Sequence, residues 1–206
     1  ILYYVTDHGL GHASRTVAII REMKKKKINV IIRSNDPFGF LKKSLPRIKI
    51  IKGQTDFEPV MCKDNGMLFD DSKTKQNLSN WIKKMPILIQ KESSLIQKIC
   101  PDVIVSDISF MPLLAANHNK LNSVLVSSFV WNESLNISKN LKQYVTNSYK
   151  EANLIIRLPL GTRVNFQNAV KIVYVIEDEK KVKPVMEHEE YDVGKKPKLD
   201  LQIQDN

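Results

Sequence analysis

Short apolar runs recur along the chain, and each is followed by a stretch whose apolar residues have helical spacing. The runs are residues 1–6, 28–32, 48–51, 103–105, 123–126 and 154–156. Uninterrupted apolar runs of this length are typical of strands that are buried on both faces. Because the repeated β-α-β order requires crossover helices, the sequence predicts an α/β fold: a Rossmann-like parallel sheet with helices on both faces.

The composition supports one folded domain followed by a different kind of segment. Of 206 residues, 42% are hydrophobic and 26% are charged, which is typical of a globular chain and excludes disorder of the whole. The periodic pattern fades after residue 176. We therefore predict a domain over residues 1–176 and a charged linker or tail over residues 177–206.

Charge and cysteine content narrow the classes of partner. The formal net charge is +10, which either attracts polyanions, including an anionic membrane surface, or only keeps the chain soluble. The lysines are not interleaved with aromatic residues, so specific nucleic-acid binding is not expected. Cys62 and Cys100 form no metal or redox motif. With no signal peptide and no apolar run of about 20 residues, we expect a cytoplasmic location.

A glycine-containing loop follows the first predicted strand. It holds His8, Gly9, Gly11 and His12 at a strand end, where ligands bind in doubly wound sheets. Glycines permit close approach of a ligand, and a histidine can take a proton from a hydroxyl at neutral pH. The alternative is a tight turn with two solvated histidines. The loop matches neither a dinucleotide fingerprint nor a zinc motif, so we predict no metal.

Polar residues follow two later strands. Asp107 either orients a histidine on a neighbouring loop or caps the next helix. Ser127 and Trp131 either line a sugar-binding cleft or, in the case of Trp131, pack in the core. Arg15 either faces the cleft from the first helix or lies on the surface.

Four ordered segments resemble a known group of proteins. Residues 4–15 resemble the opening of GT-B glycosyltransferase-like proteins, including the N-terminal domain of L-arabinokinase-like proteins, although Asp7 stands where their pattern has glycine. Residues 101–107 resemble their P-D-x-x-V-S-D segment, residues 127–131 their S/T-N-F-x-W segment, and residues 157–159 their R-L-P. The resemblance covers about residues 1–178 and implies the N-terminal half of a GT-B fold.

The resemblance also implies roles for individual residues. By position, His12 would be the general base and Asp107 its partner, with His8 as the rival base. His8, Gly9, Gly11, Arg15, Ser127 and Trp131 would contact substrate. The implied reaction is inverting transfer of a hexosyl group from a nucleotide-sugar, in the first instance a UDP-sugar, to a hydroxyl of a sugar, lipid or other small molecule. It requires no metal and no cofactor.

The resemblance leaves two functions open. In GT-B proteins a second, C-terminal domain binds most of the nucleotide-sugar, so an acceptor-binding domain alone would be incomplete. The alternative function is a non-catalytic module that binds a sugar or a nucleotide-sugar.

Overall fold

The computed structural model describes residues 1–64, 68–158, 166, 169–178 and 181–187. The strands are β1 Leu2–Val5, β2 Ile31–Arg33, β3 Lys49–Ile51, β4 Val103–Asp107, β5 Asn122–Ser127, β6 Leu154–Arg157, β7 Ala169–Asp178 and β8 Lys181–Glu187. The helices are α1 Gly9–Lys25, α2 Phe40–Ser44, α3 Asp71–Ile99, α4 Met111–His118, α5 Trp131–Ser134 and α6 Lys139–Lys150.

The strands form one sheet with the order β3-β2-β1-β4-β5-β6-β7-β8. Strands β1 to β7 pair in parallel, and β8 pairs antiparallel with β7. The order reverses its direction between β1 and β4, so the loops after these two strands diverge and leave a crevice at their carboxyl ends. The predicted fold class is confirmed.

Both faces of the sheet are covered by helices. Leu2 and Tyr4 pack with Ile96 of α3 on one face. Tyr3, which points the other way, packs with Val17 of α1 on the opposite face. Alternate residues of the apolar run 2–5 therefore enter two different cores, and all four are fully buried. This explains why β1 has no polar face in the sequence.

Helix α1 begins earlier than its periodicity predicts. The apolar spacing predicts a helix from about residue 14 to residue 27, but the glycine loop forms the first turn of α1, with His8 as N-cap. Gly9 has a φ of 75°, which glycine adopts at little cost. Glycine lowers helix propensity, but burial of His12 and Ala13 against the sheet holds the turn in place. The loop therefore places its histidines one turn apart at a helix N-terminus.

Four other elements differ from the sequence prediction, and one of them is β7, which was not among the predicted strands. The sequence predicts a helix over residues 78–99, but α3 begins earlier, at Asp71, because the Asp70 side chain caps it by accepting a hydrogen bond from Lys73 N. The short α5 was not predicted. Strand β8 lies inside the segment predicted to be a linker or tail, since pairing with β7 supplies the backbone hydrogen bonds that its charged sequence did not suggest. Residues 188–206 lie outside the described part, and the domain boundary stays a prediction.

A buried ion pair joins α3 to the sheet. Glu92 accepts hydrogen bonds from Arg33 Nη2 at 2.6 Å and from Tyr4 Oη at 3.1 Å. Arg33 Nη1 also donates to the carbonyl of Lys52, and Gly53 lies directly against the guanidinium. This cluster fixes the start of the long loop between β3 and α3, which reaches over the carboxyl end of β1.

Candidate active site

Polar side chains from four loops meet at the crevice between β1 and β4. His8 and His12 come from the turn after β1, Asp56 from the loop after β3, and Asp107 from the end of β4. Ser128 follows β5. The Thr55 hydroxyl donates to the Val5 carbonyl at 2.9 Å, which anchors the β3 loop over the end of β1.

The structure brings His12 and Asp107 together. The distance from His12 Nδ1 to Asp107 Oδ2 is 3.0 Å, and the Asp107 side chain is fully buried. The alternative, that Asp107 caps the next helix, does not hold: Phe110 is the N-cap of α4, and no side chain bonds to that helix start. Asp107 instead directs its carboxylate across to α1.

Arg15 shares the same carboxylate. Its Nη2 donates to Asp107 Oδ1, its Nη1 donates to Ser128 Oγ at 3.0 Å, and Nη2 also lies 3.0 Å from His12 Nδ1. A neutral imidazole nitrogen either donates or accepts. Arg15 Nη2 can only donate, so its contact with His12 Nδ1 is a hydrogen bond only when Nδ1 carries no proton. With the proton on Nδ1, His12 donates to Asp107 and Nε2 keeps a free lone pair, the form that a general base requires.

Aromatic rings connect the two histidines. The ring of Phe129 lies edge-on to His12 with centroids 5.9 Å apart, and edge-on to Trp131 at 5.3 Å. Trp131 in turn meets His8 edge-on at 5.8 Å. Edge-to-face pairs of this kind are the favoured arrangement of aromatic groups. The packed rings of Phe129 and Trp131 therefore restrict the orientation of both imidazoles.

His8 has a different environment from His12. Its Nε2 is buried, has no hydrogen-bond partner in the described part of the chain, and lies 4.0 Å from Asp56 Oδ2. Burial, and next the neighbouring His12, lower the pKa of His8 to about 4. His8 is therefore neutral at pH 7.

Asp56 is a buried carboxyl that the sequence did not identify. Its Oδ2 accepts from Trp131 Nε1 at 2.9 Å, and its Oδ1 accepts from Phe57 N at 3.0 Å. Burial raises the pKa of Asp56 to about 8, and these two hydrogen bonds oppose the rise. The only sequence signal was the length of the loop that carries it, because long loops within domains are often functional.

The other predicted site residues have mixed positions. Trp131 is 1% exposed and packs in the core, so it supports the site from the interior of the domain. The buried Ser127 hydroxyl donates to the Phe129 carbonyl at 2.6 Å and thereby shapes the turn after β5. By contrast, a Cβ added at Gly9 or Gly11 would meet nothing within 4 Å, so these glycines border open space. Their contact with substrate stays a prediction.

Asp7, which departs from the glycine of the resembled pattern, joins two loops. Its carboxylate accepts from Ser34 Oγ at 2.8 Å, Asn35 N at 3.1 Å and Asn35 Nδ2 at 2.8 Å. The side chain therefore fastens the turn after β1 to the turn after β2. No group of three or more potential metal ligands occurs in the part of the chain that the structure describes.

A family comparison decides the relationship of the chain to known proteins. The family model described as "Glycosyl transferase family 1" matches residues 1–185. The chain belongs to glycosyl transferase family 1. This membership agrees with the resemblance of the four ordered segments and with the crevice at the ends of β1 and β4.

Individual relatives agree with the family. An L-arabinokinase from Arabidopsis thaliana is 26% identical over 174 residues, which are 76% of this chain but 16% of that protein. The spinosyn rhamnosyltransferase SpnG superposes with a TM-score of 0.56 at 13% identity, covering 84% of this chain and 50% of SpnG. The glycosyltransferase SsfS6 from Streptomyces sp. SF2575 gives 0.50 at 10% identity, covering 84% and 53%.

The described structure thus has the GT-B glycosyltransferase-like fold of an N-terminal domain. The chain spans about half the length of the solved glycosyltransferases it matches and a smaller part of the kinase. Among the helices of the described residues, none combines the length and the apolar character that crossing a membrane would require.

Proposed function

We propose that this chain is the acceptor-binding, N-terminal domain of a nucleotide-sugar-dependent glycosyltransferase that transfers a hexosyl group with inversion to a hydroxyl. The observation that supports it most is the 3.0 Å contact between His12 and the buried Asp107 at the carboxyl ends of the central strands. Ligand crevices of open α/β sheets occur at such a reversal of strand order.

In the proposed reaction, His12 Nε2 takes the proton of the acceptor hydroxyl while the hydroxyl oxygen attacks the anomeric carbon. The bond from that carbon to the nucleotide phosphate breaks, and the nucleotide leaves with the electron pair. Asp107 holds the Nδ1 proton and stabilises the imidazolium that forms. His8 is the weaker candidate for the base because its Nε2 is buried and faces Asp56.

The acceptor side of the proposal also has support in the surface beside α1. Leu10 and Phe38 are 49% and 62% exposed, and both border one small depression next to the start of α1, together with Asp7 and Asp36. Apolar side chains next to carboxylates suit an acceptor that has both an apolar part and hydroxyl groups. Sugars, lipids and other small hydroxylated molecules remain the proposed acceptors.

We propose that the donor is a nucleotide-sugar, in the first instance a UDP-sugar, and that a second domain binds most of it. The coverage of about half of SpnG supports a two-domain protein. SpnG is described in complex with thymidine diphosphate, so dTDP-sugars belong in any donor panel beside UDP- and GDP-sugars. The scheme needs neither a metal nor a cofactor.

The test uses the protein with its native downstream sequence. Turnover of a donor panel is measured for the wild type, His12→Gln and, as a matched control, His118→Gln, which changes an exposed histidine at the end of α4. Loss of a general base typically lowers kcat by about 10²–10⁴-fold. We expect this loss for His12→Gln alone, with donor binding by calorimetry unchanged. Equal turnover of both variants would remove His12 as the base.

One observation favours the alternative function, a non-catalytic module that binds a sugar or nucleotide-sugar. Arg15 also bonds to Asp107 and lies 3.0 Å from His12 Nδ1. Arg15 therefore competes with His12 for the carboxylate that would orient a base. Binding of a donor or acceptor without turnover, and with equal affinity in wild type and His12→Gln, would support the module.

A further inference from the structure

A second histidine–aspartate pair, His8 and Asp56, lies near the pair of His12 and Asp107. His8 Nε2 faces Asp56 Oδ2 across 4.0 Å, at the N-terminus of α1. The Phe57 backbone raises the pKa of His8, as a carbonyl beside a ring N–H does. Since Nε2 lacks a partner, we assign the ring proton to Nδ1, so that Nε2 presents a buried lone pair to the carboxyl group.

Asp56 has no cation to balance a charge. Within the described residues, its only ion-pair neighbour is His8, whereas Asp107 has Arg15 and Glu92 has Arg33. An isolated carboxylate in a dry interior is costly, so a buried acid in this position keeps its proton. A protonated carboxyl can still accept from Trp131 Nε1 and gains an O–H donor.

The two observations are complementary, because His8 Nε2 needs a donor and Asp56 has one to offer. Buried polar atoms almost always find a partner. The 4.0 Å separation exceeds a hydrogen bond by about 1 Å, so the proposed bond requires one of the two side chains to rotate.

We propose that Asp56 is a positioning residue that keeps its proton at neutral pH and donates it to His8 Nε2, so that His8 is an uncharged support and not a base. The effect reaches His12 through neighbouring rings, from His8 to Trp131 and from Phe129 to His12. The catalytic consequence rests on the proposed function. The protonation state of Asp56 does not.

Most of the ionisable groups around the pair favour two uncharged side chains, although Asp7 raises the pKa of His8 and acts the other way. Asp7 and Asp107 repel a charge on Asp56, and His12 repels a charge on His8. The buried Tyr149 of α6 also interacts with Asp56. Burial, and next the carboxyl groups of Asp56 and Asp107, raise the pKa of Tyr149 well above its usual range. Burial raises the pKa of Asp56 to about 8. The protonated form of Asp56 therefore predominates at pH 7.

The experiment is an NMR titration of this chain from pH 5 to 9, following the imidazole C–H signals of His8 and His12 and the Trp131 Nε1–H signal. We expect the His8 signals to remain those of a neutral ring down to pH 5. We expect the Trp131 and His8 signals to shift together near pH 8, as Asp56 ionises. Asp56→Asn, which keeps an acceptor for Trp131 and a donor for His8, should abolish that shift and leave His8 neutral.

Asp70→Asn is the matched control, since Asp70 caps α3 away from the pair and should preserve the shift near pH 8. The proposal is overturned if His8 titrates at or above its ordinary pKa and Asp56→Asn lowers that pKa, because Asp56 would then be a carboxylate. Direct titration of the Asp56 carboxyl carbon in the wild type decides the matter if the variant does not fold. Absence of turnover in the longer protein would count against the proposed function but not against this pair.

Discussion

Substitution of Gly53 by alanine should destabilise the domain through the buried pair of Arg33 and Glu92. A Cβ at position 53 would overlap three atoms of the Arg33 guanidinium, because its distance from each would be well under 3.0 Å. Real Cβ atoms essentially never approach another atom so closely. The guanidinium has no room to withdraw, because it is buried and bonded to Glu92 and to the Lys52 carbonyl. Either the arginine leaves or the loop moves.

The cost follows from what each escape breaks. Expulsion of Arg33 leaves Glu92 as an unpaired buried charge, which costs about 3–5 kcal/mol. Movement of the loop displaces Thr55, whose hydroxyl anchors the loop to the end of β1. We therefore expect a loss of about 3–5 kcal/mol, which is a large share of the roughly 5–15 kcal/mol typical of a domain.

Equilibrium unfolding in urea, followed by circular dichroism, measures this loss. Gly11→Ala is the control, because its added Cβ meets nothing within 4 Å and alanine favours a helix by up to about 1 kcal/mol. In a background with Arg33→Met and Glu92→Met the overlap disappears, so Gly53→Ala should cost little there. A loss below about 1 kcal/mol in the wild-type background would show that the guanidinium is not held as described.

Three further predictions concern stability. The pKa of Asp56 is about 8 in the folded protein against 3.8 ordinarily, so its contribution to the free energy of unfolding is complete below pH 4 and is lost as the pH rises to 8. The lowered pKa of His8 has the opposite effect, because it increases the free energy of unfolding as the pH rises from 4 to 6.5. Between pH 6.5 and 8, urea unfolding of the wild type should therefore lose about 1.4 kcal/mol per pH unit relative to Asp56→Asn, and parallel curves would contradict this. Leu78→Ala, in the fully buried side of α3, should cost about 2–5 kcal/mol; Ile87→Ala, at a 70% exposed position of the same helix, should cost under 1 kcal/mol by the same assay. Asp7→Ala removes the acceptor of three hydrogen bonds and should cost about 1–3 kcal/mol, with a null effect showing that the two turns are fastened elsewhere.

The strand pattern predicted the sheet and placed Asp107 near the histidine loop, whereas its pairing with His12 in particular was implied by the resemblance to GT-B proteins. Apolar runs identify buried strands, and carboxyl ends of parallel strands lie at one edge, so residues that follow two such runs can be placed together without coordinates. The side chain of Asp107 could not be assigned in this way, because capping and pairing use the same residue type. Only the position of α1 decides between them.

Other features depend on contacts that leave no local pattern. Asp56 lies in a loop without periodicity, and its partner Trp131 is 75 residues away in sequence. The glycines near the start of α1 argued locally against a helix, and burial of neighbouring residues outweighed that preference. Strand β8 contains lysines, a proline and a glutamate, so its pairing with β7 was not visible in the sequence.

The central position of β1 has a consequence for how the protein folds. The first strand pairs with β4, and Leu2 is opposite Ile104, so its second edge stays open until about 100 further residues have been added. At synthesis rates of about 5–20 residues per second, the delay amounts to roughly 5–20 s. We expect this long-range closure to limit the folding rate, and to unite His12 with Asp107 in the same event. A nascent chain that ends before β4 would thus expose the unpaired, uncharged edge of β1, which a chaperone can recognise.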